Sequence, residues 1–444
     1  MANLGGIGAA VVRFLRNRSG NFGMMAALTA PLLVLAAGYA VNIVQITITR
    51  SNLVAALDSA VTSTARDLTT GAIEEKDARK MVEAFLIANG LRAYAEDGRL
   101  ELETLVIDRI ANTVSAKASV ELDVAFALFG TANRQKLTAE SAALYSDKKV
   151  EVAMMLDVTD SMNGQKIKDL RKAASTAVDI MLASNRPERQ RVRIALVPYA
   201  DAVNAGVLSH TVHVEANTSA NQKTYVEPPS LPVNQRVPKT SGSTCASERE
   251  GSTTQFTDDG PDVRMVNKDY RVPSCPAAAL MPLTADGSKL KTRISNLQIS
   301  GYTGGPIGIQ WTWYLLSPNW AQVLAAEHKP DPYDPKEVAK YAILMTDGEF
   351  NVAYAGVSHG SKPRSQETRA RSNALKLCEN MKKAGVEVFT VGFMLNNTAK
   401  NMMKECASTN TGPTKYYHEA STGAELEDAF KAIARNIEKL ALTK

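Results

Sequence analysis

Two runs of apolar residues in the C-terminal part of the chain are each followed by an aspartate. Residues 150–156 are nearly all hydrophobic and lead into Asp157, and residues 341–345 lead into Thr346 and Asp347. Continuous hydrophobic runs of this length are typical of parallel strands that are buried on both faces of a sheet. The pattern therefore predicts two buried strands, each with a carboxylate at its carboxyl end.

Segments with helical spacing of apolar residues alternate with such runs. Residues 192–197 and 386–393 predict two further strands, and Gly385 is suited to a left-handed helix cap before the second. Three amphipathic helices are predicted from apolar residues three or four positions apart: Ile167, Leu170, Ala174, Val178, Met181 and Leu182; Ala370, Ala374, Leu377 and Met381; Leu426, Phe430, Ile433, Ile437 and Leu440. Strands that alternate with helices indicate an α/β fold with a doubly wound, mostly parallel, Rossmann-like sheet and right-handed crossovers.

A long uncharged segment lies near the N-terminus. Residues 22–48 contain no charged side chain, and a bilayer core requires about twenty such residues. Three arginines precede the segment and only Arg50 closely follows it, so the positive-inside rule predicts a cytoplasmic tail at residues 1–21 and an external location for everything after the helix. The alternative is a cleaved secretory signal, whose apolar core normally has about 7–15 residues. We expect a retained single-pass anchor.

Residues 49–147 combine helical and alternating patterns. Apolar residues at helical spacing extend the membrane helix and predict a second helix: Leu53, Leu57, Val61 and Leu68, then Ala78, Val82, Phe85 and Leu86. Residues 100–109 and 113–124 alternate in polarity with Asn112 near the turn, which predicts a hairpin. We expect a small α+β, pilin-like region here, and the alternative is a helical stalk with irregular spacers.

The stretch from about 204 to 300 interrupts the α/β alternation. It is rich in proline and glycine, which disfavour regular helices and central strands, so a loop-rich surface insertion is predicted.

The chain has four cysteines and no Cys-x-x-Cys pair. Disulfides are natural in an oxidising compartment, and we expect Cys245 with Cys275 in the insertion and Cys378 with Cys406 on neighbouring late helices. Two other pairings are possible, and free buried thiols are the alternative.

Composition restricts the class of protein. A chain of 444 residues with 45% hydrophobic content is long enough for two or three domains with real cores. Its formal net charge of +5 is small for this length and is not concentrated in a basic patch. Nucleic-acid binding requires clustered Lys and Arg, so we expect no nucleic-acid partner.

The aspartates at the two strand ends point to a metal site. In open α/β sheets, ligands bind at the carboxyl ends of the strands where the strand order reverses. Two carboxylates in one crevice repel each other unless a cation lies between them. Asp157 and Asp347 would supply these carboxylates. Neutral hydroxyl oxygens come from Thr159, Ser161 and Thr303.

A shell made mostly of such oxygens suits Mg²⁺ best, and Mn²⁺ or Ca²⁺ as alternatives. Without a metal, Asp157 would simply cap the following helix and Asp347 would form a turn.

The spacing Asp-x-Thr-x-Ser from Asp157, followed by a loop threonine and a Thr-Asp-Gly, resembles the metal-ion-dependent adhesion site of von Willebrand factor A domains. The matching positions are Asp157, Thr159, Ser161, Thr303 and Asp347. The resemblance covers roughly residues 148–440, so residues 148–444 are expected to form such a domain. It implies that one coordination position of the cation stays open and that an acidic side chain of a protein partner fills it.

The N-terminal part resembles a second family. Gly20-Asn21-Phe22-Gly23, the apolar span with Pro31, and the continuation over residues 50–60 are similar to TadE/TadG-like proteins of tight-adherence (Tad, Flp-type) pilus assembly. Members of that family combine this anchor with a C-terminal von Willebrand A domain. The resemblance implies a bacterial inner-membrane protein whose C-terminal domain is periplasmic or extracellular.

Two classes of function follow. The first is a membrane-anchored, metal-dependent protein-binding module in pilus assembly or surface adhesion. The second is a metal-dependent, phosphatase-like hydrolase, since such enzymes also use a strand-end aspartate. Those enzymes need Asp-x-Asp, whereas here the second position is Thr159 and Asp160 comes one residue late. No Gly-x-Ser-x-Gly or His-Glu-x-x-His motif supplies another mechanism, so we expect a protein that is not an enzyme.

Overall fold

The computed structural model describes residues 18–70, 72–108, 113–124, 134–144, 148–187, 190–215 and 244–443. The chain forms two compact units, Met1–Tyr145 and Ser146–Lys444. Residues 1–17 of the predicted tail and the turn residue Asn112 lie outside the described residues.

The first unit begins with one helix of 53 residues, α1 (Arg18–Thr70). Its stretch Ala27–Thr69 is long and apolar enough, by length and composition, to cross a membrane. Consecutive large apolar side chains in the first half of the helix are exposed, from Leu32 to Leu35, whereas Leu53 and Leu57 in the second half are buried. Apolar exposure all around a helix is unusual in water, where the apolar stripe normally faces a core.

The rest of this unit packs against the second half of α1. Its elements are α2 (Glu75–Leu86), the short α3 (Arg92–Glu96) and an antiparallel sheet in the order β1 (Leu100–Asp108), β2 (Thr113–Asp123), β3 (Arg134–Leu144). The predicted second helix and the antiparallel pairing of β1 with β2 are confirmed. Strand β3 was not predicted. Its only buried side chains are those of Leu137 and Ala139. Two such residues are too few for the sequence pattern to predict a strand.

The second unit is built on a mostly parallel sheet. Its strands in chain order are β4 (Lys149–Asp157), β5 (Val192–Tyr199), β6 (Val203–Asn204), β7 (Val212–Val214), β8 (Cys245–Ala246), β9 (Val266–Lys268), β10 (Met281–Thr284), β11 (Val338–Thr346), β12 (Glu387–Phe393) and β13 (Tyr417–Ala420). The order β13-β12-β11-β4-β5 is parallel throughout. From β4 the chain moves to one side of the sheet, and from β11 it moves to the other. The strand order therefore reverses between β4 and β11, which is where a doubly wound sheet opens its crevice.

Helices cover both faces of this sheet. They are α4 (Gln165–Leu182), α5 (Gly287–Ser295), α6 (Gly305–Tyr314), α7 (Glu367–Lys383), α8 (Asn397–Cys406) and α9 (Gly423–Thr443). One apolar core contains side chains of α4, α5 and α9, and the other contains side chains of α6, α7 and α8. The three predicted amphipathic helices are confirmed as α4, α7 and α9, and Gly385 has the positive φ of 92° that a cap after α7 requires.

The predicted insertion at about 204–300 is more integrated than a surface loop. Strand β10 pairs antiparallel with β5, and β6 and β8 extend the same edge of the sheet. Buried hydrogen bonds hold this segment, although its sequence lacks a regular apolar pattern. The buried Glu248 carboxylate accepts the backbone N–H of Tyr354 at 2.6 Å and that of Ala355 at 3.0 Å. The insertion is thereby fastened to the loop after β11.

Two disulfides hold the second unit. Cys245 is joined to Cys275 with a Cα–Cα distance of 5.4 Å, and Cys378 is joined to Cys406 with a Cα–Cα distance of 5.2 Å. The first closes the insertion on β8, and the second links α7 to α8. This is the pairing expected from the sequence.

Candidate metal centre

The reversal of strand order brings the two predicted carboxylates to one edge. Strand β4 ends at Asp157 and β11 ends at Thr346, immediately before Asp347. The two strands are neighbours, with Leu344 opposite Met155. Both aspartate side chains are buried, and Asp157 has no exposed surface.

Asp157 is held by donors to both of its oxygens. Its Oδ1 accepts the backbone N–H of Thr159 at 2.9 Å and the hydroxyl of the same residue at 2.6 Å. Its Oδ2 accepts the Tyr199 hydroxyl at 2.8 Å and the Thr346 hydroxyl at 2.8 Å. With the more distant N–H of Asp347, at 3.4 Å from Oδ2, five donors from three segments fix the orientation of this carboxylate.

A chain of four oxygens then connects the two aspartates. The Thr159 hydroxyl lies 2.9 Å from that of Ser161, and the Ser161 hydroxyl donates to Oδ1 of Asp347 at 2.5 Å. Together with the bond between Thr159 and Asp157, this makes three close oxygen–oxygen contacts for two hydroxyl protons. One contact therefore lacks a proton when both carboxylates are ionised. A cation among these oxygens, or a further proton, would remove the repulsion.

Burial and the neighbouring charge act on the acidity of the site. Burial, and then the charge of Asp347, raise the pKa of Asp157 to about 6, while the hydrogen bonds from Thr159 and Tyr199 oppose this rise. Burial, and then the charge of Asp157, also hold the pKa of the Tyr199 hydroxyl well above its usual value, so this group stays a donor. Asp157 is thus costly to ionise as long as only protein groups surround it.

A lysine that the sequence analysis missed contacts the second carboxylate. Lys166, at the start of α4, places its Nζ 2.7 Å from Oδ2 of Asp347. The Asp347 side chain is fully buried in this pair, whereas the lysine side chain is 28% exposed. This ammonium group supplies one positive charge at the edge of the oxygen cluster.

The backbone of Thr303 bonds to Asn351, and in the described structure its side chain makes no hydrogen bond to Asp157, Thr159, Ser161 or Asp347. Its N–H donates to the side-chain oxygen of Asn351 at 3.0 Å, and its carbonyl accepts the Asn351 N–H at 3.0 Å. The same loop is tied to the β4 loop, because the Asp160 N–H donates to the carbonyl of Gly301 at 2.9 Å and the Asp160 carboxylate accepts the Gly301 N–H at 3.1 Å. Asp160 therefore binds the loop that contains Thr303.

The glycines after Thr303 have a packing role. A Cβ on Gly305 would lie 2.3 Å from the Phe350 ring, and one on Gly308 would lie 2.8 Å from Met155 and 2.9 Å from Tyr199. Real Cβ atoms do not approach other atoms so closely, so these glycines let α6 lie directly against the sheet. The contact with Tyr199 places this packing just behind Asp157, to which the Tyr199 hydroxyl donates.

The site depends on hydroxyls as much as on acids. Within the described part of the chain, no group of three or more His, Cys, Asp or Glu side chains is placed to hold a metal ion. The cluster instead combines two carboxylates with the hydroxyls of Thr159 and Ser161, and these four predicted residues are in direct contact. An all-oxygen set of this kind fits a hard divalent cation.

Comparison with known sequences gives no assignment. No known family model matches this sequence, and no curated protein matches it significantly.

Comparison with solved structures gives remote likenesses. The chain is similar to the pilus adhesin SpaC from Lactobacillus rhamnosus GG, with 11% identity, a TM-score of 0.38, and coverage of 78% of this chain and 35% of that one. It is also similar to the vWF domain of the type V pili tip protein Mfa5 from Porphyromonas gingivalis, with 14% identity, a TM-score of 0.38, and coverage of 67% and 97%.

A third likeness is to proximal thread matrix protein 1 from the mussel byssus with a zinc-occupied MIDAS motif, with 14% identity, a TM-score of 0.31, and coverage of 65% and 48%. The present chain thus spans about a third of the length of the pilus adhesin and about half that of the thread protein. At these TM-scores and identities the likenesses carry no functional weight.

Proposed function

We propose that this chain is a membrane-anchored protein-binding module that holds a divalent cation and captures a carboxylate of a protein partner. The proposed ligand set is Asp157, Thr159, Ser161, Thr303 and Asp347. The observation that carries the proposal is the row of close oxygen contacts between the two buried aspartates, which has one proton too few.

A divalent cation fits this set better than a second ammonium group. The oxygens come from two carboxylates and from short hydroxyl side chains, which are the ligands that Mg²⁺ and Mn²⁺ prefer. Zinc in proteins more often takes nitrogen and sulfur ligands, and the cluster contains neither. We therefore propose Mg²⁺ as the resident ion, with Mn²⁺ and Ca²⁺ as close alternatives.

Anchoring is proposed from the first half of α1. Its large apolar side chains from Leu28 to Val44 are exposed, as they would be in contact with lipid. Together with the TadE/TadG-like resemblance of residues 20–60, this supports a role at the bacterial inner membrane in Tad-type pilus assembly or adhesion, with the α/β unit outside the cytoplasm.

A phosphatase-like hydrolase is the second candidate, and the geometry favours binding. Such an enzyme needs a second carboxylate beside Asp157, two residues later in the chain. That position is Thr159, and the Asp160 carboxylate is engaged with the backbone of Gly301. No second acid of the β4 loop therefore faces the cluster.

The test is calorimetric titration of the full chain in detergent with Mg²⁺ and with Mn²⁺. One ion should bind per chain, and Asp347→Asn should abolish the binding because an amide cannot supply the second negative charge. Asp160→Asn is the matched control, since it makes the same chemical change on a carboxylate of the neighbouring loop. Equal binding by Asp347→Asn and the unmodified chain would refute the proposed site, and phosphate-ester turnover that depends on Asp157 would favour the hydrolase.

A further inference from the structure

The oxygen cluster opens to solvent between two loops of the second unit. Ser161 and Lys166 both contact the Asp347 carboxylate, and both reach the surface. A partner would approach the cluster from this side, and the side chains next to its carboxylate would meet the residues that flank the opening. Two large apolar side chains are exposed on these flanks, Tyr302 and Met394.

Tyr302 lies on the β4 and β5 side of the cluster. The carbonyl of the preceding residue, Gly301, accepts the N–H of Asp160 at 2.9 Å, and Asp160 lies between the two hydroxyl residues of the cluster in the chain. The N–H of Tyr302 itself donates to the Asp201 carboxylate, just beyond β5, at 2.9 Å. Tyr302 is nevertheless 45% exposed.

Met394 lies on the opposite side. It follows β12, which pairs with β11 on the side away from β4, and the register sets Gly392 beside Thr346. The loops after these two strands are joined, because the Asn396 side-chain amide donates to the Glu349 carboxylate. Met394 is 48% exposed. The strand order thus puts one exposed apolar side chain on each side of the cluster.

An ion pair holds the Tyr302 ring in place. Arg364 donates from Nε and Nη2 to the two oxygens of Asp201, at 2.7 Å and 2.9 Å, and its central carbon lies 4.1 Å from the centroid of the Tyr302 ring. Gly301 permits this packing, because a Cβ there would lie 1.9 Å from Oδ2 of Asp201. An exposed ring that is already ordered loses little conformational entropy when a partner binds.

The backbone at Met394 is unusual for an exposed apolar residue. Its φ is 56°, in the left-handed region that residues with a Cβ rarely adopt. Its N–H still donates to the carbonyl of Ala420 at 2.8 Å, so this conformation lies directly at the end of the sheet. Backbone conformations of this kind cost free energy and cluster at binding sites. A methionine kept exposed at such a position supports a contact role for its side chain.

Exposed side chains of this size are rare in the second unit. Among its described residues, the other large apolar side chains that are exposed are those of Val207, Val214 and Val263. Tyr302 and Met394 are larger than these valines, and both flank the opening of the cluster. Tyrosine and methionine are also enriched at protein–protein interfaces.

The charges on these flanks disfavour a second acid in the partner. The Arg364 guanidinium is neutralised by Asp201, whose side chain is only 1% exposed. On the other side, Glu349 adds a negative charge near Met394. Beside the one carboxylate that the cation would bind, the flanks therefore favour apolar side chains over further carboxylates.

We propose that Tyr302 and Met394 select the partner by packing on large aliphatic residues on either side of its metal-binding carboxylate. This selection rests on the proposed function, because a cation in the cluster must first hold that carboxylate. The occupant is a protein segment in which an acidic residue lies between large aliphatic residues. A carboxylate between glycines gains the contact with the cation alone.

The probes are two capped peptides, Gly-Leu-Glu-Leu-Gly and Gly-Gly-Glu-Gly-Gly. Their binding to the full chain in detergent is measured by calorimetry at saturating Mg²⁺. The same titration with a chelator is subtracted, which removes the partition of leucine into detergent. The leucine peptide should bind about tenfold more tightly, because its two side chains are partly buried on the flanks.

Tyr302→Ala and Met394→Ala should each lower this preference about threefold, because each removes one of the two apolar contacts. Val263→Ala is the matched control, since it shortens an exposed apolar side chain of the insertion and should leave the preference unchanged. Magnesium-dependent binding of both peptides with equal affinity, or a preference undiminished in both variants, would overturn this inference alone. Absence of Mg²⁺ binding by the unmodified chain would instead refute the proposed function, and the selection with it. If Tyr302→Ala does not fold, Met394→Ala and the comparison of the two peptides still decide the question.

Discussion

Asp157→Asn should make the metal-free protein more stable at neutral pH while abolishing metal binding. Burial and the charge of Asp347 raise the pKa of Asp157 to about 6, from an ordinary value of 3.8. The folded protein therefore holds this proton more tightly than the unfolded chain does. As a result, the contribution of Asp157 to the stability of the metal-free protein falls as the pH rises from about 4 through 6 and this residue becomes ionised. An asparagine has no charge to bury, so the variant escapes this loss.

The size of the effect follows from the shift. A rise of roughly two pKa units corresponds to about 3 kcal/mol at 1.36 kcal/mol per unit. Asp157 is completely buried, so solvent screening does not reduce this figure as it would at the surface. We therefore expect Asp157→Asn to raise the free energy of unfolding of the metal-free protein by up to about 3 kcal/mol at pH 7.5, and to leave it nearly unchanged at pH 4.

Urea unfolding with a chelator, at pH 4, 6 and 7.5, measures this difference. The same series with saturating Mg²⁺ should stabilise the unmodified chain near neutral pH and not the variant, because a cation replaces the proton between the aspartates. The reasoning is refuted if the stability of Asp157→Asn relative to the unmodified metal-free chain does not rise between pH 4 and 7.5. Asp160→Asn controls for the loss of any carboxylate near this edge.

Three further outcomes are expected. Lys166→Met should raise the affinity for Mg²⁺ in titration calorimetry by roughly tenfold, because the ammonium group competes for Asp347; Lys168→Met on the same helix should not. Gly308→Ala should lower the free energy of unfolding by about 1–3 kcal/mol, since its Cβ would overlap Met155 and Tyr199, whereas Gly348→Ala has open space and should be nearly neutral. A phosphatase reporter fused to the C-terminus should be active only if that end lies outside the cytoplasm, and activity confined to a cytoplasmic reporter would contradict the topology.

The sheet and the edge that carries Asp157 and Asp347 could be predicted because strong local patterns specify them. Residues 150–156, apart from Glu151, and residues 341–345 are apolar on both faces, as in a central parallel strand, and this pattern places the following aspartates at the carboxyl edge. The disulfides could be predicted because four cysteines allow three pairings and position along the chain favours one of them. In each case a few residues carried most of the information.

Other features depend on contacts that no local pattern reveals. The role of Lys166 depends on how α4 begins beside Asp347, since in sequence it is simply one of several lysines on an amphipathic helix. The insertion was predicted to be a surface loop because proline and glycine dominate it. Its order comes instead from buried charged residues such as Glu248, whose partners at 354 and 355 lie about a hundred residues away in the chain.

The two aspartates are held in different ways, and this difference indicates how a cation would enter. Asp157 is fixed by donors that belong to the fold itself, including the hydroxyls of Tyr199 and Thr346 at strand ends. One oxygen of Asp347 is held by Lys166, whose long side chain is partly exposed and can turn into solvent when a cation takes its place. A cation that approaches from this side replaces one positive charge with another and does not disturb the strands. Under the proposed function, this is the side from which a partner's carboxylate would reach the cation.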